Sequence, residues 1–304
     1  MYNEPNANNN LTPQQYVQMY NTLVPAMQAA DPSLKFAAIE LGMNGDFTGA
    51  PQTWVPPFVS GVTARVDALT THFYSTCDPS RTDAQLFATI PGFVADLQYI
   101  YAQMATNPTL TSVPVWLTEN NVDCEASGTS NDPRGSSPFF ASWRPYVFSQ
   151  FGKAGNKALY QFTFNGNSEF GEVDQNVATT VYLSYWVDYW LVRMFPSPPG
   201  ADMLAYTATD TADIEVLPVA NPDGSVTVMI ANLAVAGPAD SNGAGAPRTV
   251  LVDTSALGSF SSASLLIIDR NTNLNTGPVA SAVTPGPQIT VALNGYGVAF
   301  LSLK

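Results

Sequence analysis

Up to about residue 200 the chain alternates short apolar runs with stretches of helical periodicity, and this rhythm constrains its fold more than any other feature. The runs are "KFAAIEL" (35–41), "ALTTHFY" (68–74), "VPVWLTE" (113–119) and "ALYQFTF" (158–164). They are nearly continuous in apolar residues, the pattern of strands covered on both faces. Helical stretches fall at about 12–30, 52–60, 83–105, 138–152 and 177–195. Thr12-Pro13 is a strong helix start, because threonine caps the free amides and proline suits the first helical position. Strands alternating with helices predict βα units and a parallel sheet.

After "FPSPPG" (195–200) the texture changes to short strands and turns: "IEVLPVA", "SVTVMIANL", "TVLVD", "SLLIID", "QITVAL" and "GVAFLSL". Asn221-Pro222-Asp223-Gly224 reads as a hairpin turn, with proline fixing one φ and glycine supplying a positive one. This predicts an α/β domain over 1–198 and an all-β antiparallel sandwich over 199–304. Residues 234–247 read as a flexible loop within the sandwich.

The charge balance narrows the partners. Of 304 residues, 11 are Lys or Arg and 24 are Asp or Glu, giving a net charge of −13. Nucleic acid and anionic membrane surfaces both demand clustered basic residues, so neither is expected. The most apolar helical segment, "VYLSYWVDYWLVRMF" (181–195), is broken by Asp188 and Arg193 and reads as an amphipathic helix, not a membrane span. Abundant Asn, Thr, Ser, Tyr and Trp suit a neutral polar ligand. No metal or cofactor is expected: the chain has one histidine, His72, and its two cysteines, Cys77 and Cys124, lack metal-pair spacing. Those cysteines are either two buried thiols or one disulfide of an exported protein.

Two glutamates stand out. Glu119 ends the run "VPVWLTE", and in a parallel barrel reactive groups gather at the C-terminal ends of strands. Glu4, in "MYNEPN", lies before a loop and a helix, as a strand-end residue would. At ~31 residues per βα unit, the interval between them spans three to four units. Cleaving a glycosidic bond requires such a pair, one carboxyl to protonate the leaving oxygen and one to attack or stabilise the anomeric carbon. Taken singly, each has a plainer reading as a surface or loop residue. Glu40 reads as a buried polar group, Trp116 as packing, and Glu169, Glu172 and Asp174 as a solvated acidic loop.

Asn3-Glu4-Pro5, "HFY" (72–74) and "WLTE" (116–119) together resemble the retaining glycoside hydrolases of clan A, and with the trailing β-sandwich look most like family 39. The resemblance implies a (β/α)8 barrel in which Glu4, ending strand four, is the acid/base and Glu119, ending strand seven, the nucleophile. It implies that Asn3 bonds the 2-hydroxyl of the sugar and that His72 and Tyr74 contact the nucleophile or sugar. Clan members often place a tryptophan at the end of strand eight; here Phe162, Phe164 or Asn165 must serve in its place, or the platform comes from elsewhere. The loops after strands six and seven would lie side by side, which favours a Cys77–Cys124 disulfide.

If Glu4 ends strand four, residues 1–198 form a partial TIM barrel of strands four to eight. Its open edge would expose apolar surface, weaken the chain's stability and activity, and favour self-association. The implied substrate is a β-linked oligo- or polysaccharide and the implied location extracellular, with the signal peptide lost together with the missing N-terminal part. The competing readings are a non-catalytic carbohydrate-binding protein and a structural surface protein.

Overall fold

The computed structural model describes residues 3–7, 11–43, 45, 49–124, 132–177, 179–196 and 200–304. By residue contacts these form two compact units, and the chain passes between them several times. The first holds residues 1–78, 88–126 and 150–162; the second holds 79–87, 127–149 and 163–304.

The first unit is built on a parallel sheet in the order β1 (Ala37–Leu41), β2 (Ala68–Thr76), β3 (Val115–Asp123), β4 (Ala158–Leu159). Helix α1 (Pro13–Ala30) begins where predicted. The Thr12 side chain accepts from the Gln15 amide, and Gln15 Oε1 accepts from the Thr12 amide, a reciprocal capping box. Helix α2 (Ala50–Gly61) packs on α1 through Tyr16, Tyr20, Trp54 and Phe58. Helix α3 (Asp83–Met104) enters this unit at Ala88 and stacks Phe93 on Phe73 of β2 with ring centroids 4.0 Å apart. All nine residues of β2 are buried, the polar Thr70, Thr71, His72, Ser75 and Thr76 among them. At β1, Ala38, Ile39 and Leu41 are also buried, so this edge strand does not show the exposed apolar surface expected of it. From α1 the Tyr16 hydroxyl reaches it and accepts from the Ile39 amide.

Two expectations are corrected here. Residues 3–7 form a turn and not a strand end, closed by the bond from the Ala7 amide to the Glu4 carbonyl. No strand of the described residues lies beside β1 on that side, so the segment has no ladder to join. It docks instead through Asn6, whose amide group bonds both the N–H and the C=O of Gly42. The predicted strand 158–164 stops at Leu159. Beyond it single bonds from the Tyr160 and Phe162 amides reach β3, but Tyr160, Phe162 and Phe164 are solvent-exposed and therefore lack the two-sided cover the reading assumed.

The second unit includes helix α4 (Phe140–Lys153) up to residue 149, the short parallel pair β5 (Asn165–Gly166) and β6 (Val173–Asp174), and helix α5 (Leu183–Met194). α5 is shorter than expected because Val181 is held in an antiparallel bridge with Val173 ahead of the helix. Then follow β7 (Asp202–Met203), β8 (Ile214–Ala220), β9 (Val226–Asn232), β10 (Arg248–Asp253), β11 (Ala263–Asp269), β12 (Ser281–Val283), β13 (Gln288–Leu293) and β14 (Gly297–Leu303). Six of them pair antiparallel in the order β12-β11-β14-β9-β8-β7, and β10 pairs with β13. Ile289, Val291 and Leu293 of β13 alternate inward and join Val228, Ile230 and Leu301 in one core. The turn between β8 and β9 has Gly224 at φ 82°, as the Asn-Pro-Asp-Gly sequence requires.

The loop 234–247 is anchored, contrary to the flexible reading. Buried Asp83 accepts from the amides of Asn242 and Gly243 and from the Tyr296 hydroxyl, and Arg134 pairs with Asp83 and Asp132. A buried carboxylate must be paired and hydrogen-bonded, and the loop backbone supplies the donors.

Candidate active site

In the first unit the C-terminal halves of β1, β2 and β3 bring together Glu40, His72, Tyr74 and Glu119, and the docked turn adds Glu4. β2 places Thr70, His72 and Tyr74 at two-residue intervals, so all three point to one side of the sheet. The register slips by one residue between β1 and β2 at Glu40, and again between β2 and β3 at Thr118. A bulge adds a residue and re-aims side chains. Here both extra residues turn to the His72 side, where Thr118 donates to Glu40 at 2.5 Å.

His72 is fully buried, while the carboxylate side chains around it keep 21–27% of their surface. Its Nδ1 stands 2.9 Å from Glu4 Oε1 and 3.5 Å from Glu119 Oε2, so those two oxygens are separated by no more than the sum, about 6.4 Å. Its Nε2 stands 2.8 Å from Glu40 Oε1. Tyr74 donates to Glu119 Oε2 at 2.7 Å. Glu4 holds φ 45°, in the left-handed region, and its carboxyl lies over Gly42. A Cβ at residue 42 would come within 2.7 Å of Glu4 Oε1, so only glycine leaves the carboxyl room there.

The electrostatics follow from this packing. Burial opposes the charge on His72, but hydrogen bonds to Glu4 and Glu40 and the charges of Glu119 and Glu40 outweigh it and raise its pKa to about 9. Burial likewise opposes the Glu40 charge, yet donors from His72, Thr118 and Thr70 hold its pKa at about 2. Burial, the charge of Glu119 and the hydrogen bond to it push the Tyr74 phenol far up. A histidine whose pKa is raised on folding contributes stability that is complete below ~6.5 and disappears as pH rises through its folded value. His72 is therefore expected to contribute on the order of 3 kcal/mol at pH 6, lost as pH passes about 9. Thermal unfolding from pH 6 to 10, against a His72→Gln variant, checks this: the difference between the two proteins should shrink with rising pH.

The other predicted residues are distributed as follows. Asn3 is exposed, next to Glu4. Cys77 and Cys124 are joined in a disulfide with Cα atoms 4.8 Å apart. Phe164 and Asn165 belong to the second unit, and both are exposed. Trp116 is half-buried. The acidic loop is corrected: Glu169 is 2% exposed, and Glu172 is pushed up to about 8 by burial and then by the charge of Asp188, against Arg144. Only Asp174 behaves as a loop residue, accepting from Tyr182 and from the amides of Asn176 and Val177. The segment returns on itself through bonds between 163–164 and 170–173, which draws Glu169 inside. Glu40 is the residue that sequence reasoning underweighted. Its signal was a lone carboxylate in an apolar strand, next to the strand that carries the chain's one histidine. Among the described residues no group of His, Cys, Asp or Glu side chains is arranged to hold a metal ion, and no helix is long and apolar enough to cross a membrane.

Comparison with known proteins adds the following. A family model described as glycosyl hydrolase catalytic core matches residues 1–148. The fold is similar to the GH51 arabinofuranosidase from Xanthomonas axonopodis pv. citri, with TM-score 0.68, 17% identity, and 99% of this chain and 65% of that one covered. It is similar to a monomeric β-xylosidase from Caulobacter crescentus CB15, with TM-score 0.68, 15% identity, and 100% and 68% covered. It is also similar to the GH39 enzyme from Xanthomonas axonopodis pv. citri, with TM-score 0.65, 17% identity, and 100% and 67% covered. The chain thus spans about two thirds of the length of the structures it matches. No curated protein sequence matches it.

Proposed function

With a glycosyl hydrolase catalytic core matched over residues 1–148, we propose that this chain carries the site of a glycosidase that cleaves β-linked glycosides with retention. The observation that carries the reading is the meeting of Glu4 and Glu119 at one nitrogen of His72. Retaining enzymes hold their carboxyls ~5–5.5 Å apart and inverting ones ~6.5–9.5 Å apart, to admit a water. The upper bound of about 6.4 Å between Glu4 Oε1 and Glu119 Oε2 favours retention. Glu119 is the nucleophile, with Tyr74 donating to the oxygen that does not attack. Glu4 protonates the leaving oxygen and later activates water. Asn3 bonds the sugar's 2-hydroxyl. The exposed rings of Tyr160 and Phe162, just beyond β4, offer apolar faces for a sugar; of the two, Phe162 was a candidate from sequence, beside Phe164 and Asn165. Residues 1–198 hold the chemistry and 199–304 a packing module. The disulfide favours an extracellular location, since such bonds persist in oxidising compartments.

The test is a 2-deoxy-2-fluoro glycoside with a good leaving group, followed by peptide mass spectrometry. Label on the peptide bearing Glu119 is the expected result. Label on any other carboxylate, or glycan binding with neither label nor turnover, would remove Glu119 from this role. A second check uses Gly42→Ala. The new methyl displaces the flexible Glu4 carboxyl instead of backbone, so stability should hardly change. A misplacement on the order of 1 Å costs about 10²-fold in rate, and kcat/KM should fall by that order with the melting temperature nearly unchanged.

A further inference from the structure

The chemistry proposed above gives Glu40 no part, yet both of its carboxylate oxygens are hydrogen-bonded within the cluster. Its Oε1 accepts from His72 Nε2 at 2.8 Å and from Thr118 at 2.5 Å, and its Oε2 accepts from Thr70 at 2.5 Å. The backbone there is costly. Ile39 and Glu40 have φ of 75° and 56°, although neither is glycine and one is β-branched. Such conformations persist only where the surroundings over-determine them. Here the Tyr16 hydroxyl accepts the Ile39 amide at 3.0 Å, and the bulge delivers Glu40 to the ring of His72. Strain of this kind at a site where carboxylates converge marks a constrained geometry.

The arrangement raises a proton-accounting problem. Both ring nitrogens of His72 face carboxylate oxygens, which a doubly protonated ring satisfies best. An imidazolium paired with Glu4 alone would hold Glu4 ionised, and an ionised Glu4 has no proton for a leaving group. A second, permanently charged carboxylate on the far nitrogen changes this. We propose that Glu40 is a positioning residue: its carboxylate is the counter-ion of the His72 imidazolium, so that His72 fixes Glu4 through Nδ1 while leaving Glu4 able to carry the catalytic proton. The inference rests on the glycosidase reading for the role of Glu4, but not for the pairing of Glu40 with His72. The raised pKa of His72 and the lowered pKa of Glu40 agree with the pairing. The other titratable groups that act on this pair are Glu4 and Glu119 on the ring, Tyr74 through Glu119, and Tyr16, whose phenol faces Glu40.

The chain's single histidine makes the test direct, because every imidazole resonance in its NMR spectrum belongs to His72. In the unaltered protein without substrate, the ring should titrate near pH 9. In Glu40→Gln, which keeps shape and loses charge, the midpoint should fall by about 1–3 units, the usual effect of an adjacent opposite charge. The basic limb of kcat/KM against pH on an aryl glycoside should move to lower pH with it, because removing a carboxylate weakens proton binding at its neighbours. A merely structural role would lower the rate and leave the limb in place, and that result overturns the proposal. So does a ring midpoint that Glu40→Gln does not move. If Glu40→Gln does not fold, the unaltered protein still decides: a midpoint below pH 7 overturns the pairing. The ring is read without substrate, so failure here is distinct from failure of the glycosidase reading, which labelling of Glu119 decides.

Discussion

Glu119→Gln should lose turnover by on the order of 10⁴-fold or more in kcat/KM, the scale seen when a covalent nucleophile is removed, without losing the fold. A carboxamide does not form the glycosyl ester, so the two-step route closes at its first step. It still offers an oxygen to the Tyr74 hydroxyl, which in the native protein donates to Glu119 Oε2. The carboxylate is a quarter exposed, although it lies midway along β3, so little packing depends on its charge. Initial rates on a panel of aryl β-glycosides, together with circular dichroism, would check this. Activity within tenfold of the parent would refute the assignment of Glu119.

Glu4→Gln should show a different signature. General acid catalysis contributes about 10²–10⁴-fold, and the loss should depend on the leaving group. Substrates that depart as stabilised phenolates need no proton, so their first step should be nearly preserved and a glycosyl-enzyme should accumulate. Alkyl glycosides should lose the full factor. Azide, which needs no general base, should restore turnover on the activated substrates and yield a glycosyl azide of retained configuration. Equal losses across leaving groups, without azide rescue, would move the acid/base role away from Glu4. Gly42→Ala should reproduce part of this pattern, since it moves the same carboxyl by steric contact.

These outcomes separate what was legible in the primary structure from what was not. The alternation of apolar runs and helical stretches sufficed for the parallel sheet and for the antiparallel module after residue 200, because strand and helix periods and turn chemistry are local properties. Thr12-Pro13 and Asn221-Pro222-Asp223-Gly224 are of this kind: cap and turn geometry follow from the residues themselves. The placing of Tyr74 on the face of His72 was legible for the same reason, since a two-residue period fixes the face a strand residue presents.

Tertiary structure alone decided the rest. No local rule announces a bulge at Glu40 or at Thr118, because register depends on the neighbouring strand. Those two slips turn a carboxylate and a hydroxyl toward His72. The strand predicted through residue 164 ended at Leu159: Tyr160 and Phe162 make only single backbone bonds to β3 with their rings exposed, and 163–164 bond to 170–173 instead. Glu169 went inside a loop that composition alone marked as solvated. Glu4 reached the cluster without any strand, held by Asn6 against the backbone of Gly42, through two hydrogen bonds between residues 36 positions apart. Which acids exist, and on which strands, is a property of the sequence; which of them share a proton is set by distances that only the folded chain creates.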